Sequence, residues 1–440
     1  MRNFYKRGRI AILLALLCPL GLVAQESSIN TYSPYSFYGV GNLFSTSGAA
    51  LNSMGGASIG FRSYMKINVN NPAAYSSVAQ KSFLFDVSLR WNNVYSKQNN
   101  GSGGFYKTAD NSLNLGDISI LFPLAKKLGF GLTISPYSTV GYRTQRYETS
   151  DDIIADLGSV KYTYSGEGGI TQLKMGVGWE PFPRVSIGAE LIYLRGNIDR
   201  YYDAKITAIT GAGNFNSLSA STNEKVSRVF ANFGAQVNAI TTDKTRLTIG
   251  ATYRLGGKLR ADVTDYIPSN NVYGDTVRFD KPTSNITLPS TIGVGIFLHR
   301  PVYSIGFDYI YQDWAAHNSY DARNQVGFRN THTFKLGAQF TPSRYDVRNF
   351  LKRFTYRIGL RYSDYYMTFR GEKLAEKAVT FGVEIPFGMT AVSNLNIGLE
   401  VGNMGTLRNG LVRERFVRLN LGVTLFGGDH DYWFVKYKYD

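Results

Sequence analysis

Apolar and polar residues alternate with a period of two along most of the chain. In SFLFDVSLRW (82–91), apolar side chains occupy every odd position from Phe83 to Trp91, and mostly polar side chains occupy the even positions. The same alternation recurs in RLTIGATYRL (246–255), TIGVGIFL (291–298) and YSIGFDYIY (303–311). Successive side chains of a β-strand point to opposite faces, so the pattern predicts strands with one apolar and one small or polar face.

The residue types on the polar face decide what the apolar face contacts. Faces of Gly, Thr, Asp and Arg cannot pack tightly against each other, as the two sheets of a large soluble sandwich would require. In a membrane barrel, lipid contacts the apolar face and the lumen lies on the other face, so each face has suitable surroundings. The sequence therefore predicts an all-β fold, a transmembrane antiparallel up-and-down β-barrel of about 14 strands between Ser82 and Phe426.

The connections between the predicted strands alternate between short and long, as this topology requires. The predicted short turns are 123–127, 180–184, 241–245 and 299–301, with a longer one at 342–353. The predicted long polar loops lie near 97–111, 147–166, 207–223, 267–285 and 314–330. We expect the short set at the periplasmic end and the long set outside the cell.

Four regions follow along the chain. Residues 1–24 combine a basic start, an apolar stretch and Ala24, which predicts a cleaved signal peptide and export to the outer membrane. Residues 25–80, rich in Gly, Ser, Asn and Ala, predict a compact N-terminal plug. Residues 81–427 form the predicted barrel, and 428–440 are a periplasmic tail or an end strand.

The amino-acid composition excludes several classes of functional site. The single cysteine, Cys18, lies in the signal peptide, which excludes a disulfide framework, a thiol nucleophile and a cysteine-based zinc site in the mature chain. The formal charge of +16 is scattered singly along the strands, so we expect attraction to an anionic membrane surface and no nucleic-acid partner. The four histidines lack partners at catalytic spacing. We therefore expect no enzyme activity, no cofactor and no metal site.

Three segments resemble the FadL-type family of outer-membrane transporters. MGGASIGF (54–61) followed by NNPAAYSSV (70–78) is similar to the family's plug, with Asn71, Pro72 and Ala73 matching its Asn-Pro-Ala motif. Residues 288–314 resemble its Leu-Pro strand, tight turn and strand ending in Asp-Trp, and 128–142 resemble its third strand. The resemblance implies the same fold of fourteen strands with an N-terminal plug.

The resemblance also implies a transport mechanism. A hydrophobic small molecule would bind beside the plug and leave sideways into the membrane at a kink in the third strand. Ser135, Pro136 and Tyr137 are then the candidates for the lateral gate. Proline lacks a backbone donor, so independently of the family Pro136 must lose a ladder hydrogen bond, lie at a bulge or lie in an extension near the rim.

This chain departs from the simplest version of the family in two ways. The segment before the motif carries aromatics at Tyr32, Tyr35, Phe37, Tyr38 and Phe44, which dock outside the lumen or pack into it. The inferred lumen face carries Asp86, Arg90, Glu190, Arg228, Arg254, Asp308, Lys335, Arg357, Arg361, Glu384, Glu400 and Arg418. Most of these charges should pair with each other or anchor the plug.

Two functions remain open. The favoured one is non-enzymatic uptake of hydrophobic small molecules with lateral exit at the third-strand kink. The other is a structural or accessory role in an outer-membrane complex for barrel assembly or protein secretion. The expected surroundings are membrane lipid and lipopolysaccharide, and the candidate partners are a hydrophobic ligand and other outer-membrane proteins.

Overall fold

The computed structural model describes residues 31–427 apart from 46, 81, 208–217, 269–275, 317, 319–324 and 388–392. The predicted signal peptide and C-terminal tail lie outside these residues. No helix among them is long and apolar enough to cross a membrane.

The strands form one closed antiparallel sheet in which β18 pairs with β2. They are β1 (Asn42–Leu43), β2 (Leu84–Asn99), β3 (Phe105–Ala125), β4 (Leu128–Tyr147), β5 (Ser159–Phe182), β6 (Val185–Thr207), β7 (Leu218–Thr241), β8 (Arg246–Arg254), β9 (Gly257–Pro268), β10 (Thr276–Leu288), β11 (Thr291–His299), β12 (Tyr303–Gln312), β13 (Val326–Phe328), β14 (Thr331–Phe340), β15 (Thr355–Phe369), β16 (Glu372–Pro386), β17 (Asn394–Gly405) and β18 (Val412–Phe426).

The barrel has fourteen strands, as predicted. β8 with β9, β10 with β11 and β13 with β14 are each one wall strand interrupted by a short break, and β1 belongs to the plug. The short turns occur where the sequence predicts them: only 126–127 separate β3 from β4, and only 183–184 separate β5 from β6. The longer connection between β14 and β15 contains a 3-10 helix at Phe350–Arg353.

The two faces of β2 differ in burial. Leu84, Asp86, Ser88 and Arg90 are buried, whereas Trp91 on the other face is 41% exposed. Most of the apolar face is likewise exposed along β8, β11 and β12, for example at Ile249, Val294 and Phe307. The apolar faces therefore point away from the protein, as a barrel in lipid requires.

The predicted outer loops are partly wrong. Much of 97–111 and 147–166 is strand. β2 ends at Asn99, and β3 begins at Phe105. β4 ends at Tyr147 and β5 begins at Ser159, with only a short helix (Asp151–Leu157) between them. Beyond the membrane both faces of a strand meet water, so both carry polar residues. The alternation that identifies a strand in the sequence is then lost.

The plug lies inside the barrel and has little regular structure. It contains 3-10 helices at Pro34–Phe37 and Pro72–Ser77 and one short helix α1 (Gly48–Asn52), whose five residues are all buried. Leu51, Met54, Phe61 and Phe297 form one small apolar cluster between plug and wall.

Candidate functional site

The Asn-Pro-Ala motif fixes the plug to one side of the wall. Asn71 caps the 3-10 helix by accepting a hydrogen bond from the Ala73 amide at 3.1 Å. Its Nδ2 donates to the Ile59 carbonyl of the plug at 2.9 Å and to the Ala235 carbonyl of β7 at 3.3 Å. Tyr75 donates to Glu190 on β6 at 3.2 Å. The motif residues are therefore a plug anchor, buried completely at Asn71 and Ala73.

Glycines let the plug backbone approach the wall closely. A Cβ added to Gly188 would lie 2.4 Å from the Pro72 carbonyl carbon, and one on Gly359 would lie 2.1 Å from the Gly55 amide nitrogen. At Gly337 it would meet Met54 at 2.3 Å. These strand glycines therefore face the lumen and leave room for the plug backbone.

Charged wall residues also anchor the plug. Asp308 accepts hydrogen bonds from the backbone amides of Ser58 at 2.6 Å and Ile59 at 2.9 Å. Glu384 pairs with Arg357 of the wall and with Lys66 of the plug. Burial, and after it the repulsion of the nearby Arg357 cation, lowers the pKa of Lys66 to about 8. The attraction of Glu384 opposes this shift.

A second ionic cluster lies across β15, β16, β17 and β18. Arg361 pairs with Glu376 at 2.6 Å and with Glu400, while Arg418 pairs with Glu400 at 2.7 Å and with Glu376 at 3.2 Å. The sequence analysis missed Glu376. It lies on the same side of β16 as Glu384, eight residues earlier, in a part of the strand that lacks clean alternation.

The predicted lumen charges differ in burial. Asp86, Arg90, Glu190, Asp308, Lys335, Arg357, Arg361, Glu384 and Glu400 are buried. Arg254 and Arg418 are half-buried, and Arg228 is exposed. The structure brings Arg357 together with Glu384, and Arg361 with Glu400 and Arg418, but it leaves Arg228 apart from these clusters.

The wall is incomplete beside Pro136. The ladder between β3 and β4 runs from Ala125 paired with Leu128 only as far as Ile118 paired with Ile134. Among the described residues, no ladder pair joins the outer part of β3 to β4 beyond this point. Pro136 lies at a register shift in the β4–β5 ladder, Ser135 is buried and accepts a hydrogen bond from Gln172, and Tyr137 is buried.

Residues 31–44, the aromatic segment, cover the free edge of β4. Its β1 strand pairs Asn42 with Thr139 and Leu43 with Ser138, and the Phe44 amide donates to the Tyr137 carbonyl at 2.9 Å. The Ser33 amide donates to the Gly141 carbonyl at 2.8 Å. The plug therefore acts as the missing neighbour strand along this part of β4.

The aromatic segment crosses the lumen to the opposite wall. Tyr365 donates to the Tyr35 carbonyl at 3.0 Å, and Tyr366 donates to the Gly41 carbonyl at 2.7 Å. The Phe37 ring lies 4.8 Å from that of Tyr142, centroid to centroid. Of the two locations left open for these aromatics, the structure places them in the lumen.

The largest buried apolar cluster surrounds this segment. It includes Tyr35, Val40, Tyr142, Trp314, Tyr366 and Phe369, drawn from the segment and from at least three parts of the wall. Sequence analysis missed Tyr365 and Tyr366 of this cluster, because they are adjacent and break the alternation of β15. That break was the available signal.

The model of the BamG family matches residues 7–440, nearly the whole sequence. The chain belongs to the BamG family. Comparison with curated protein sequences gives no significant match.

Solved structures place this BamG-family barrel among FadL-like folds. The toluene transporter TodX of Pseudomonas putida is 14% identical with a TM-score of 0.56, covering 88% of this chain and 99% of that one. A FadL homologue of Pseudomonas aeruginosa is 14% identical with a TM-score of 0.55, covering 89% and 99%. The toluene transporter TbuX of Ralstonia pickettii is 13% identical with a TM-score of 0.51, covering 87% and 98%. The FadL-like fold predicted from the sequence is therefore confirmed.

Proposed function

We propose that this BamG-family barrel is a non-enzymatic accessory subunit of an outer-membrane complex of the barrel-assembly type. The observation that supports this proposal is the position of the aromatic segment. This segment occupies the lumen among the outer parts of β4, β15 and β18. It is pinned by buried hydrogen bonds from Tyr365 and Tyr366. A hydrophobic molecule entering from the loops would have to displace this cluster.

Two further observations support a structural role. The part of the plug that follows the aromatic segment, from Gly48 to Ser77, is fixed by backbone contacts with wall glycines, by the Lys66–Glu384 ion pair and by the hydrogen bond from the Ser58 amide to Asp308. Each such interaction stabilises one closed arrangement, and breaking a buried ion pair costs about 3–5 kcal/mol. The family name carries the Bam prefix of the barrel-assembly machinery, in agreement with the second of the two functions left open by the sequence.

Purification tests the subunit role. The tagged full-length chain, extracted in a mild detergent, is expected to elute as a stable complex containing another outer-membrane barrel of the assembly machinery. Depletion of the chain is expected to lower the amounts of other folded outer-membrane barrels. A monodisperse single chain, together with unchanged barrel levels after depletion, would contradict the proposal.

The gap in the β3–β4 ladder favours a second candidate function, uptake of a hydrophobic molecule with lateral exit beside Pro136. TodX and TbuX, which share the fold, are described as toluene transporters. In this case Pro136→Ala restores a backbone donor, straightens β4 and reduces uptake without unfolding the barrel. Radiolabelled toluene uptake by whole cells measures it, with Pro123→Ala in the β3 ladder as the matched control. Normal uptake in Pro136→Ala would remove the lateral gate.

A further inference from the structure

A groove of about 800 Å³ crosses the outer, apolar face of the wall between β12 and β2. One ladder row of three valines lines it: Val379, Val401 and Val417. The next row toward the short turns carries larger apolar side chains, Phe381, Leu399 and Leu419. Valine is smaller than leucine or phenylalanine, so the valine row is recessed. The apolar lining continues over β14 and β15 with Phe334, Leu336 and Leu360, all of which are exposed.

The row on the other side of the valines, toward the long loops, brings two cations to the groove. In the ladder Lys377 pairs with Asn403, and Asn403 pairs with Arg415. Lys377 and Arg415 therefore lie two strands apart on one face, with about 10 Å between their Cα atoms. Both are exposed, and both line the groove. Tyr362 and Tyr95 are the ladder neighbours at the two ends of this row. Aromatic girdles mark the membrane interfaces of barrels, so the two cations lie at the level of lipid headgroups.

These two cations lack an acidic partner on their own face. Among the described residues, no acidic side chain lies within 4.0 Å of Lys377 or Arg415. Their sequence neighbours Glu376 and Glu414 point to the opposite face, because successive strand residues alternate, and both line the lumen. The positive charge at the groove is therefore not balanced by the wall strands that carry it.

More positive charge follows beyond the groove. The next ladder row toward the long loops carries three further cations: Arg413, Lys97 and Lys107. The Nε atom of Arg413 is buried and has no hydrogen-bond partner within the described part of the chain. Asp364, which accepts a hydrogen bond from Tyr362 at the end of the first row, already pairs with Arg329 at 2.7 Å. Cations this close repel each other, and an anion placed among them removes that repulsion.

We propose that the groove binds one phosphorylated glycolipid of the outer leaflet, the lipid A part of lipopolysaccharide. Its phosphate lies between Lys377 and Arg415 and accepts hydrogen bonds from both, which are strong because both partners are charged. Its acyl chains lie along the valine row and over Leu360. A free phosphate would leave this apolar part of the groove uncovered. The cations lie toward the long loops, which we expect outside the cell, where lipopolysaccharide is the expected lipid. This inference does not depend on the proposed subunit role.

Titration of the full chain with purified diphosphoryl lipid A, followed by native mass spectrometry after delipidation by detergent exchange, tests the site. We expect saturable binding of one lipid A per chain. Lys377→Gln combined with Arg415→Gln should weaken this binding at least tenfold. Lys377→Arg combined with Arg415→Lys keeps both charges and should retain most of it. Phosphatidylglycerol, which has one phosphate and only two acyl chains, should bind the natural chain at least tenfold more weakly than lipid A.

Lys258→Gln combined with Arg260→Gln is the matched control, because this lysine and arginine are exposed on β9 and lie outside the groove. The control variant should bind lipid A as the natural chain does. Absence of saturable lipid A binding by the natural chain would overturn the proposal. Equal weakening by the two Gln double variants would also overturn it, since it would indicate attraction to the overall positive charge. Equal affinity for phosphatidylglycerol would overturn the assignment to a glycolipid. Unchanged lipid A binding together with loss of a co-purified protein in the Lys377 and Arg415 variant would assign the groove to a protein partner instead.

Discussion

Alanine at both Gly337 and Gly359 is expected to drive the Met54–Gly55 turn of the plug away from the wall. The added Cβ of residue 359 would lie 2.1 Å from the Gly55 amide nitrogen, and that of residue 337 would lie 2.3 Å from the Met54 carbonyl oxygen. Both contacts are with plug backbone, and the wall cannot yield without breaking its own ladder. Overpacking typically costs about 1–3 kcal/mol per site, so the two together favour a displaced plug.

Limited proteolysis and conductance in a planar bilayer measure the displacement. We expect cleavage within residues 53–66 and a steady ion current in the double variant, and neither in the natural chain. Gly257→Ala is the matched control, since its added Cβ would meet only the Phe230 ring at 3.3 Å. A protease-resistant, non-conducting double variant would show that the plug does not depend on these contacts.

Replacement of Glu384 by Gln is expected to destabilise the barrel by about 3–5 kcal/mol, because it leaves two cations without a charged partner in a buried site. The exposed fractions of the paired side chains are 1% for Arg357, 6% for Glu384 and 12% for Lys66. One member belongs to the plug, so the loss should also loosen the plug. Urea unfolding in lipid vesicles, followed by tryptophan fluorescence, gives the free energy of unfolding.

A surface pair supplies the control for this prediction. Lys352 lies 3.9 Å from Asp346, and its side chain is 55% exposed, so Lys352→Gln should change the stability by less than about 1 kcal/mol. The double variant Arg357→Met with Glu384→Leu should recover part of the loss, because it removes opposite charges from the wall together. Equal stability of Glu384→Gln and the natural chain would contradict the assignment of the Glu384–Lys66 pair as a plug anchor.

The two candidate functions differ in what they require of the aromatic segment. Uptake requires the segment to leave the edge of β4, which would expose the carbonyls of Tyr137 and Gly141. An unpaired backbone group in lipid costs several kcal/mol, so an opening there needs a replacement donor. A subunit role requires only that the segment stay in place, as its hydrogen bonds and ring contacts favour.

The amino-acid sequence alone predicted the wall. Period-two alternation identified which face of β2, β8, β11 and β12 meets lipid. Each residue of a barrel strand faces either lipid or the lumen, and the type of its side chain indicates which of the two. The strand count and the short turns followed from the same pattern. The positions of Asp308 and Glu384 on the lumen face also followed, because charged residues avoid lipid.

Only the tertiary structure decided how the lumen is filled. Lys66 and its partner Glu384 are 318 residues apart, and Tyr35 and Tyr365 are 330 apart, so no local pattern links them. The end of the β3–β4 ladder at Ile134 and the docking of the aromatic segment along β4 depend on closure of the whole barrel. Plug and wall residues face each other only after closure, and the pairs that close the lumen are therefore properties of the folded chain.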